Sequence, residues 1–429
     1  MTRLKRAGAV GIALLVGGIA WALTPTSAAG LPPAPVTGPF ALGINEAVSV
    51  PQRLALSSAE LERLLRADAT RTFDVGARLV RGHTGAFPRI SQSELASAPR
   101  HRDNADTWVR VVQAAGLEPV LMVSPWPGNQ TANATDHYVP DDLDAFRAYV
   151  TALVERYDGD GVDDMPGLAG PVRYWEVDNE PDLKFTNAPR GARREVPAGS
   201  FCKPEEYARV LVVAAEAIRA ASTDARVLNG GIFRPHADNG DTWLRELVAQ
   251  PGVRASIDIL SLHTYADDDG TRLATGITRA RAHVPDRPVW VTETSLDGDD
   301  LEGQAARLPA VIARAALAGA ERVFWHTLAD PPPSVRGPMA ARTGSLFRTL
   351  EGGTVEAKPA ATVFRNLATQ LARDDLNGAV AESAGVARLR SGAALLYAGE
   401  HAAERGGVSL LDGAVLAPGA VARAPAWLK

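Results

Sequence analysis

Two glutamates, Glu180 and Glu293, each stand at the end of an apolar segment that is typical of a β-strand. The first segment, RYWEVDNEPDL (173–183), ends its apolar run in Asn179-Glu180-Pro, and the second, RPVWVTETS (287–295), ends at Glu293. When two carboxyl groups face one another, one can protonate a leaving oxygen while the other attacks a sugar carbon or activates a water. This pair could therefore cleave a glycosidic bond, provided that both glutamates lie at the same end of one barrel.

The elements that would position these glutamates alternate along the chain from residue 40 onward. Short β-branched apolar runs predict strands over 40–45, 77–81, 119–124, 172–177, 226–231, 257–263, 288–293 and 322–327. Amphipathic patterns predict helices over 57–73, 104–116, 143–157, 205–222, 242–250, 271–284, 304–319 and 359–372. Continuous apolar runs are typical of parallel strands covered on both faces, so the class is α/β and the fold a (β/α)8 TIM barrel. A doubly wound open sheet is the alternative, disfavoured because no GxGxxG follows the first strand.

The two ends of the chain differ from the barrel. Residues 1–29 combine an early positive charge with an apolar run and small residues, which predicts a secretory signal peptide and hence a secreted or periplasmic protein. An uncleaved membrane anchor is the alternative. Residues 30–39 are predicted to be a linker and 40–373 the catalytic barrel. Residues 374–429 are predicted to be a small β-rich segment, with strands in VARLR, ALLYAG and VSLLDGAVL.

Composition limits the partners. The chain has 429 residues, 46% of them hydrophobic, which is enough for one large core and a small appendage. A formal net charge of −5, without a basic cluster after the N-terminus, disfavours nucleic acid as a partner. The single cysteine, Cys202, excludes an intramolecular disulfide.

In a (β/α)8 barrel, chemistry takes place where strands end and the βα loops begin. The polar and aromatic residues at the predicted strand ends are Arg81, His83, Trp126, Asn179, Glu180, Arg234, His236, Asp238, His263, Tyr265, Glu293, Trp325 and His326. The histidines among them lack the compact spacing of a metal site, so neither a metal nor another cofactor is expected.

These residues resemble clan A of the glycoside hydrolases, which are retaining (β/α)8 enzymes. In that clan an asparagine and the acid/base glutamate end strand four, and the nucleophile glutamate ends strand seven. The resemblance implies that Glu180, preceded by Asn179, is the acid/base and that Glu293 is the nucleophile. WEVDNEPDL (175–183) is most similar to family 39, which includes xylosidases, iduronidases and bacterial exopolysaccharide hydrolases. Asp178 departs from that family, which often has an aromatic residue there.

The resemblance extends to substrate-binding residues. SLHTY (261–265) is similar to the strand-six motif of the clan, whose tyrosine, here Tyr265, would donate a hydrogen bond to the nucleophile. Arg81 and Trp325 match the strand-two arginine and the strand-eight tryptophan that stacks on sugar. His263 and Trp126 are further candidate sugar contacts. The structural alternatives are an ion pair for Arg81 and packing roles for His263 and Trp126.

The sequence therefore predicts a secreted retaining β-glycosidase that acts on an oligosaccharide or polysaccharide. A non-catalytic carbohydrate-binding barrel linked to polysaccharide export or remodelling is the alternative, and a metal-dependent barrel hydrolase is a third possibility. The acidic segment 158–167 is predicted to be a solvated loop, with a calcium site as the alternative. A solvated rim or a hydroxyl-binding surface is predicted for the acidic residues after strands six and seven: Asp267, Asp268, Asp269, Asp297, Asp299 and Asp300.

Overall fold

The computed structural model describes residues 39–45, 56–82, 89–90, 99–125, 139–140, 142–182, 203–266, 269–296, 298, 300–330, 344–383, 385–389, 391–397, 406–411 and 414–420. The predicted signal peptide and nearly all of the predicted linker lie outside the described residues. The same is true of His83, Trp126, Cys202, Asp267, Asp268, Asp297 and Asp299.

Ten strands in the described part of the chain form one parallel sheet. They are β1 (Ala41–Asn45), β2 (Leu79–Arg81), β3 (Arg89–Ile90), β4 (Glu118–Val123), β5 (Tyr174–Val177), β6 (Arg226–Asn229), β7 (Ile232–Phe233), β8 (Leu260–His263), β9 (Val289–Thr294) and β10 (Ala320–His326). All eight predicted strands are present, and the two-residue strands β3 and β7 are additional. The short length of β3 and β7 gives too few residues for a hydrophobic pattern to be recognised.

The sheet curls into a nearly closed barrel. Pairing runs in the order β6, β5, β4, β2, β1, β10, β9, β8 and β7, and every pair in it is parallel. Because β7 follows β6 directly after Gly230-Gly231, and Leu228 bridges Ile259, the sheet returns to its own start. The predicted (β/α)8 barrel is confirmed.

Helices follow the strands and cover the barrel. They are α1 (Ser58–Asp74), α2 (Pro99–Ala114), α3 (Leu143–Glu155), α4 (Pro204–Ala221), α5 (Asp238–Val248), α6 (Val253–Ser256), α7 (Thr271–His283), α8 (Leu301–Leu317) and α9 (Pro359–Leu371). Each predicted helix overlaps one of them. Local signals set several starts: Ser57 and Glu60 form a capping box, and Asp142 accepts a hydrogen bond from the Ala145 amide. Among the described residues, no helix is both long enough and apolar enough to cross a membrane.

Two apolar layers hold the barrel. The larger lies between strands and helices, and the smaller fills the barrel interior. The interior layer consists of Leu79, Val120, Leu228, Ile259, Trp290 and Phe324. A Cβ on Gly43 would lie 2.4 Å from the Phe324 ring, so only glycine leaves room for that ring. This apolar layer closes the lower part of the barrel, and the inward-facing residues above it are polar.

The C-terminal segment forms a separate five-stranded sheet, which confirms the predicted β appendage. Its strands are β13 (Val380–Ser383), β14 (Val386–Arg388), β15 (Ala394–Leu396), β16 (Gly407–Ser409) and β17 (Val415–Leu416), after a hairpin of β11 (Phe347–Thr349) and β12 (Val355–Ala357). The sequence did not predict β13. Leu389, Leu395 and Leu410 of the appendage belong to the same buried cluster as the barrel, so the two pack together.

Candidate active site

Glu180 and Glu293 meet at the end of the barrel where the strands finish. Glu180 follows β5 and Glu293 lies near the end of β9, and each side chain is almost fully buried, with 8% and 4% of the residue exposed. An oxygen of Glu180 and an oxygen of Glu293 lie within 4.8 Å of one another. Nδ1 of His263 is 3.0 Å from Oε1 of Glu180 and 3.7 Å from Oε2 of Glu293. The fold therefore brings together the two glutamates and the strand-six histidine that the sequence selected.

Hydrogen-bond donors surround the Glu293 carboxylate. Nδ2 of Asn45 donates to Oε2 at 2.8 Å, and the Tyr265 hydroxyl donates to Oε1. Nη1 of Arg81 lies 3.6 Å from Oε2. A positive charge and donors favour the ionised carboxylate, which is the form that a nucleophile requires. Asn45 ends β1 and was not among the residues selected from the sequence, although its place at a strand end is the signal that could have found it.

Arg81 forms the ion pair that was the structural alternative in the sequence, and its role in substrate binding stays a prediction. Its side chain is fully buried, and Nε donates to Oε2 of Glu176, forming an ion pair inside the barrel. Its other nitrogens donate to Oδ1 of Asn45 at 3.0 Å and to Oδ1 of Asn179 at 2.9 Å. Arg81 is thus a structural ion-pair partner that also orients the amides beside both glutamates.

Glu176 is the main residue that the sequence reasoning missed. It lies on β5 in the apolar run that leads to Glu180 and is completely buried. Besides Arg81, its carboxylate accepts hydrogen bonds from Ser261 at 2.7 Å and Thr292 at 3.2 Å. A lone carboxylate within an apolar strand is the signal that could have found it, because a buried charge requires a partner.

A β-bulge in β9 explains how neighbouring residues both reach the barrel interior. Leu262 pairs with Val291 whereas His263 pairs with Glu293, so β9 contains one extra residue, Thr292, at this level. In a regular strand consecutive side chains point to opposite faces. The bulge allows Thr292 to contact Glu176 while the adjacent Glu293 contacts Asn45 and Tyr265.

The loop that contains Glu180 has a strained backbone, which hydrogen bonds from Tyr207 stabilise. Asp178 and Glu180 have positive φ angles of 66° and 47°, which non-glycine residues adopt only with support from their surroundings. The Tyr207 hydroxyl donates to the carbonyl of Val177 at 2.8 Å and accepts from the Gly230 amide at 2.6 Å. A Cβ on Gly230 would lie 2.8 Å from that same carbonyl oxygen, so glycine allows the close approach of β6.

Asp182 fixes the far end of this loop. Both of its oxygens accept from the Phe233 amide at 3.0 Å. Burial raises the pKa of Asp182 well above its ordinary value, and the negative charge of Glu180 adds to the increase. Asp182 therefore joins the Glu180 loop to β7 as a carboxyl group that resists ionisation.

Trp325, which the sequence selected as a sugar contact, does not lie at the site. Phe324 points into the barrel, so Trp325, as the next residue of β10, points outward into the layer between strands and helices. It is fully buried and its indole donates to the carbonyl of Gly344 at 2.6 Å. The proposed sugar-stacking role of Trp325 is therefore wrong. His326 faces the site instead, with Nδ1 3.4 Å from Nδ2 of Asn45 and its ring edge-on to Tyr265.

Other polar residues at the strand ends have structural partners. The Arg234 guanidinium lies over the Phe233 ring at 4.6 Å, and Asp238 pairs with Arg279 at 3.0 Å. Asp269 caps the amide of Thr271 and pairs with Arg314, while Asp300 caps the Gly303 amide. Asp269 and Asp300, the described members of this acidic set, thus stabilise the starts of helices.

Two groups of described residues have ligand-type atoms within 4.8 Å of one another: Glu180, His263 and Glu293, and also Glu155, Asp158 and Asp160. In the first group, protein donors engage both oxygens of Glu293, and Nδ1 of His263 is within hydrogen-bond distance of Glu180. The second group follows α3 and precedes β5, at the opposite end of the barrel. There Asp158 and Asp160 accept hydrogen bonds from backbone amides of their own turn.

Comparison with known protein families bears on the class of enzyme. Residues 174–316 match a family model described as glycosyl hydrolase catalytic core. The matched segment runs from β5 into α8 and contains Glu180, His263, Tyr265 and Glu293. This match confirms the predicted class of enzyme, a glycoside hydrolase. No curated protein sequence matches this chain.

Solved structures share the fold at low sequence identity. An exo-β-1,4-mannosidase from Opitutaceae bacterium strain TAV5 is 18% identical with a TM-score of 0.55; the match covers 81% of this chain and 62% of the mannosidase. A family 39 β-xylosidase from Caulobacter crescentus is 19% identical with a TM-score of 0.52 and covers 83% of this chain and 76% of its own. A family 1 β-glucosidase from Thermotoga maritima is 13% identical with a TM-score of 0.55, and the match covers 79% of this chain and 99% of the glucosidase. These neighbours represent several glycoside hydrolase families and, at 13–19% identity, show the barrel fold alone. Assignment to clan A and to family 39 stays a prediction.

Proposed function

We propose that the chain is a retaining β-glycosidase of family 39 type, with Glu180 as acid/base and Glu293 as nucleophile. One observation carries the proposal: an oxygen of each glutamate lies within 4.8 Å of the other at the ends of β5 and β9. Retaining enzymes place their carboxyl groups about 5–5.5 Å apart, whereas inverting enzymes need about 6.5–9.5 Å to admit a water. A closest oxygen–oxygen approach within 4.8 Å fits the shorter separation, at which one carboxylate attacks the sugar directly.

The reaction proceeds in two displacements. In the first, Glu180 gives its proton to the glycosidic oxygen as the bond from that oxygen to the anomeric carbon breaks, and a Glu293 oxygen forms a new bond to the carbon. In the second, Glu180 accepts a proton from a water whose oxygen attacks the anomeric carbon, and the Glu293 carboxylate departs. The sugar therefore keeps its original anomeric configuration, and Glu180 is protonated again.

The surrounding groups stabilise each state of this cycle. Asn45, Tyr265 and the nearby Arg81 cation lower the energy of the Glu293 anion before attack and after its departure. Asn179 accepts a hydrogen bond from Arg81 through Oδ1, which directs its NH2 group away from Arg81. We assign that NH2 group to the sugar 2-hydroxyl, a hydrogen bond that strengthens in the transition state.

The substrate of the proposed enzyme is an oligosaccharide or polysaccharide, and the reaction requires no cofactor. Residues 1–29 would direct the chain to the periplasm or outside the cell, where such polymers occur. The structural neighbours described above are a mannosidase, a β-glucosidase and a β-xylosidase. We therefore leave the sugar to experiment.

The test is hydrolysis of a panel of aryl β-glycosides and polysaccharides by the wild type, Glu293→Gln and Glu180→Ala. Glu293→Gln should reduce turnover at least about 10⁴-fold, because removal of a covalent nucleophile abolishes the first displacement. Glu180→Ala should still be glycosylated by substrates with highly acidic leaving groups, which need no proton, and added azide should accelerate release of the product. Glu216→Gln, on the outer helix α4, is the matched control and should retain full activity.

The stereochemistry of the first product decides the mechanism. Proton NMR should show the β-anomer first, before mutarotation. An α-anomer would contradict the nucleophilic role of Glu293 and indicate inversion. Equal glycan binding by the wild type and Glu293→Gln, with turnover by neither on any substrate of the panel, would indicate the carbohydrate-binding barrel instead.

A further inference from the structure

A chain of buried hydroxyls links His263 to the Arg81–Glu176 ion pair. Nε2 of His263 lies 3.0 Å from Oγ1 of Thr292, and that oxygen lies 2.6 Å from Oγ of Ser261. Both hydroxyls contact Oε1 of Glu176, at 2.7 Å from Ser261 and 3.2 Å from Thr292. His263, Ser261, Thr292 and Glu176 are all completely buried, so these contacts are made within the protein and not through bulk water.

The number of protons on these hydroxyls determines which group donates in each contact. Glu176 forms an ion pair with Arg81 and is the acceptor in each of its hydrogen bonds, while Ser261 and Thr292 have one proton each. The two shortest contacts, Ser261 to Glu176 and Thr292 to Ser261, use both protons, and the Thr292 proton is shared with Glu176 over the longer distance of 3.2 Å. If Thr292 donated to His263 instead, one of these oxygen–oxygen contacts of 2.7 Å or less would have no proton between the two atoms. Thr292 is therefore an acceptor for His263, and Nε2 has the hydrogen.

This assignment fixes the opposite side of the imidazole. A neutral histidine with hydrogen on Nε2 has a bare Nδ1, which is an acceptor. Nδ1 lies 3.0 Å from Oε1 of Glu180. The neutral ring can hold Glu180 only when that carboxyl is protonated, which is the form that donates to the leaving oxygen. A Cβ on Gly231 would lie 2.0 Å from Nε2, so the absence of a side chain at Gly231 allows the ring to pack in this position.

We infer that Thr292 is a positioning residue that fixes the tautomer of His263, so that Nδ1 accepts the acid proton of Glu180. This inference rests on the proposed role of Glu180 as acid/base. The bulge at Thr292 is what makes the arrangement possible, since it directs the hydroxyl into the barrel immediately before Glu293. The Thr292 hydroxyl makes its hydrogen bonds with His263, Ser261 and Glu176, and not with Glu180 or Glu293. Thr292 therefore acts through the histidine.

Other charged and titratable groups also face the His263 ring. Glu293 approaches Nδ1 from β9 at 3.7 Å, and Asp182 stands two residues beyond Glu180. The remaining groups at this level are Glu176 from β5, Arg81 from β2, Tyr265 from the loop after β8 and His326 from β10. Of these groups, only Glu176 has a hydrogen bond with Thr292, and in Thr292→Val it keeps Arg81 and the shorter bond from Ser261. A change in pH dependence therefore reports on the His263–Glu180 contact.

The experiment compares Thr292→Val, which removes the hydroxyl at nearly constant shape, with Thr292→Ser, which keeps it. The nitrogen-15 signals of the histidines give the tautomer directly, and the His263 signals are identified by their loss in His263→Gln. We expect hydrogen on Nε2 in the wild type and Thr292→Ser, and hydrogen shifted toward Nδ1 in Thr292→Val. Hydrogen on Nδ1 of neutral His263 in the wild type would overturn the inference, whether or not the variants fold.

The pH profile of kcat/KM gives a second readout. In Thr292→Val, Nδ1–H would donate to Glu180 and favour its anion, so the alkaline limb should move down by about one pH unit. Substrates with highly acidic leaving groups should be less affected than alkyl glycosides, and Thr292→Ser should behave as the wild type. An unchanged alkaline limb in folded Thr292→Val would also overturn the inference. Absence of hydrolysis by a wild type with hydrogen on Nε2 would instead count against the proposed function.

Discussion

The ion pair between Arg81 and Glu176 allows a quantitative test of how the site is held. Both side chains are completely buried. Replacing Arg81 by Met would leave the Glu176 anion with only the hydroxyls of Ser261 and Thr292 as donors. Replacing Glu176 by Gln would leave Glu293, 3.6 Å away, as the one carboxylate near the Arg81 cation among the contacts described here. Removing one member of a buried pair costs about 3–5 kcal/mol, because the other charge stays in a medium that solvates it poorly.

The double variant Arg81→Met/Glu176→Gln removes both charges, so its cost should be much less than the sum. We expect a coupling free energy of about 2–3 kcal/mol between the two positions. Urea unfolding, followed by the fluorescence of the buried tryptophans, gives the free energy of unfolding for each member of the cycle. The exposed pair Arg147 and Glu216 is the control, and the same cycle there should give a coupling of less than about 1 kcal/mol.

Activity separates the two single variants. Glu176→Gln keeps the donors that Arg81 directs to Asn45 and Asn179, so kcat/KM should fall less than in Arg81→Met, which removes them. Two results would contradict this reasoning: losses of unfolding free energy that simply add in the double variant, or a loss of less than about 1 kcal/mol in Arg81→Met. Either result would mean that each charge is well solvated without its partner.

Three further changes test other parts of the site. Gly231→Ala should lower stability by about 1–3 kcal/mol and abolish activity, because its Cβ would lie 2.0 Å from Nε2 of His263; Gly170→Ala, with open space at its Cβ, is the control for thermal unfolding and turnover. Tyr265→Phe removes a hydrogen bond to the Glu293 carboxylate and should reduce kcat by about 10–100-fold without unfolding the chain; an unchanged kcat would refute that role. Burial raises the pKa of Asp182, so the native state keeps a proton that the unfolded chain loses above about pH 4. The free energy of unfolding should then fall by about 1.4 kcal/mol per pH unit from there up to the raised pKa, and Asp182→Asn should remove that slope in urea titrations at several pH values.

Much of the barrel could be predicted from the sequence because the signals are local. Each buried parallel strand is a short continuous apolar run, and each helix has its own period and caps. Parallel strands of one barrel all end at the same rim, so strand ends alone place Glu180, His263 and Glu293 together. Their chemistry then follows from residue type, without knowledge of any side-chain contact.

Other features depend on contacts between distant segments. Whether Trp325 or His326 points inward is decided by Phe324, whose ring fits into the barrel only because Gly43 on the neighbouring strand has no side chain. A one-residue change in such a choice reverses every side chain of a strand. The bulge at Thr292 is likewise invisible in the sequence, since it is defined by the registers of β8 and β10 against β9.

The polar layer above Trp290 and Phe324 is best understood as serving the site and not the fold. Buried ion pairs are often no more stabilising than apolar residues of similar volume. If Arg81 and Glu176 served stability alone, an apolar pair would serve as well, and their four hydrogen-bonded neighbours, two amides and two hydroxyls, would not require these charges. Instead, Arg81 directs the amides beside both glutamates, and Glu176 accepts from the hydroxyls that orient His263. The double variant should therefore lose less free energy of unfolding than the two single variants combined and yet lose most of its activity. The orientation of the site residues depends on both charges, whereas the stability of the barrel does not.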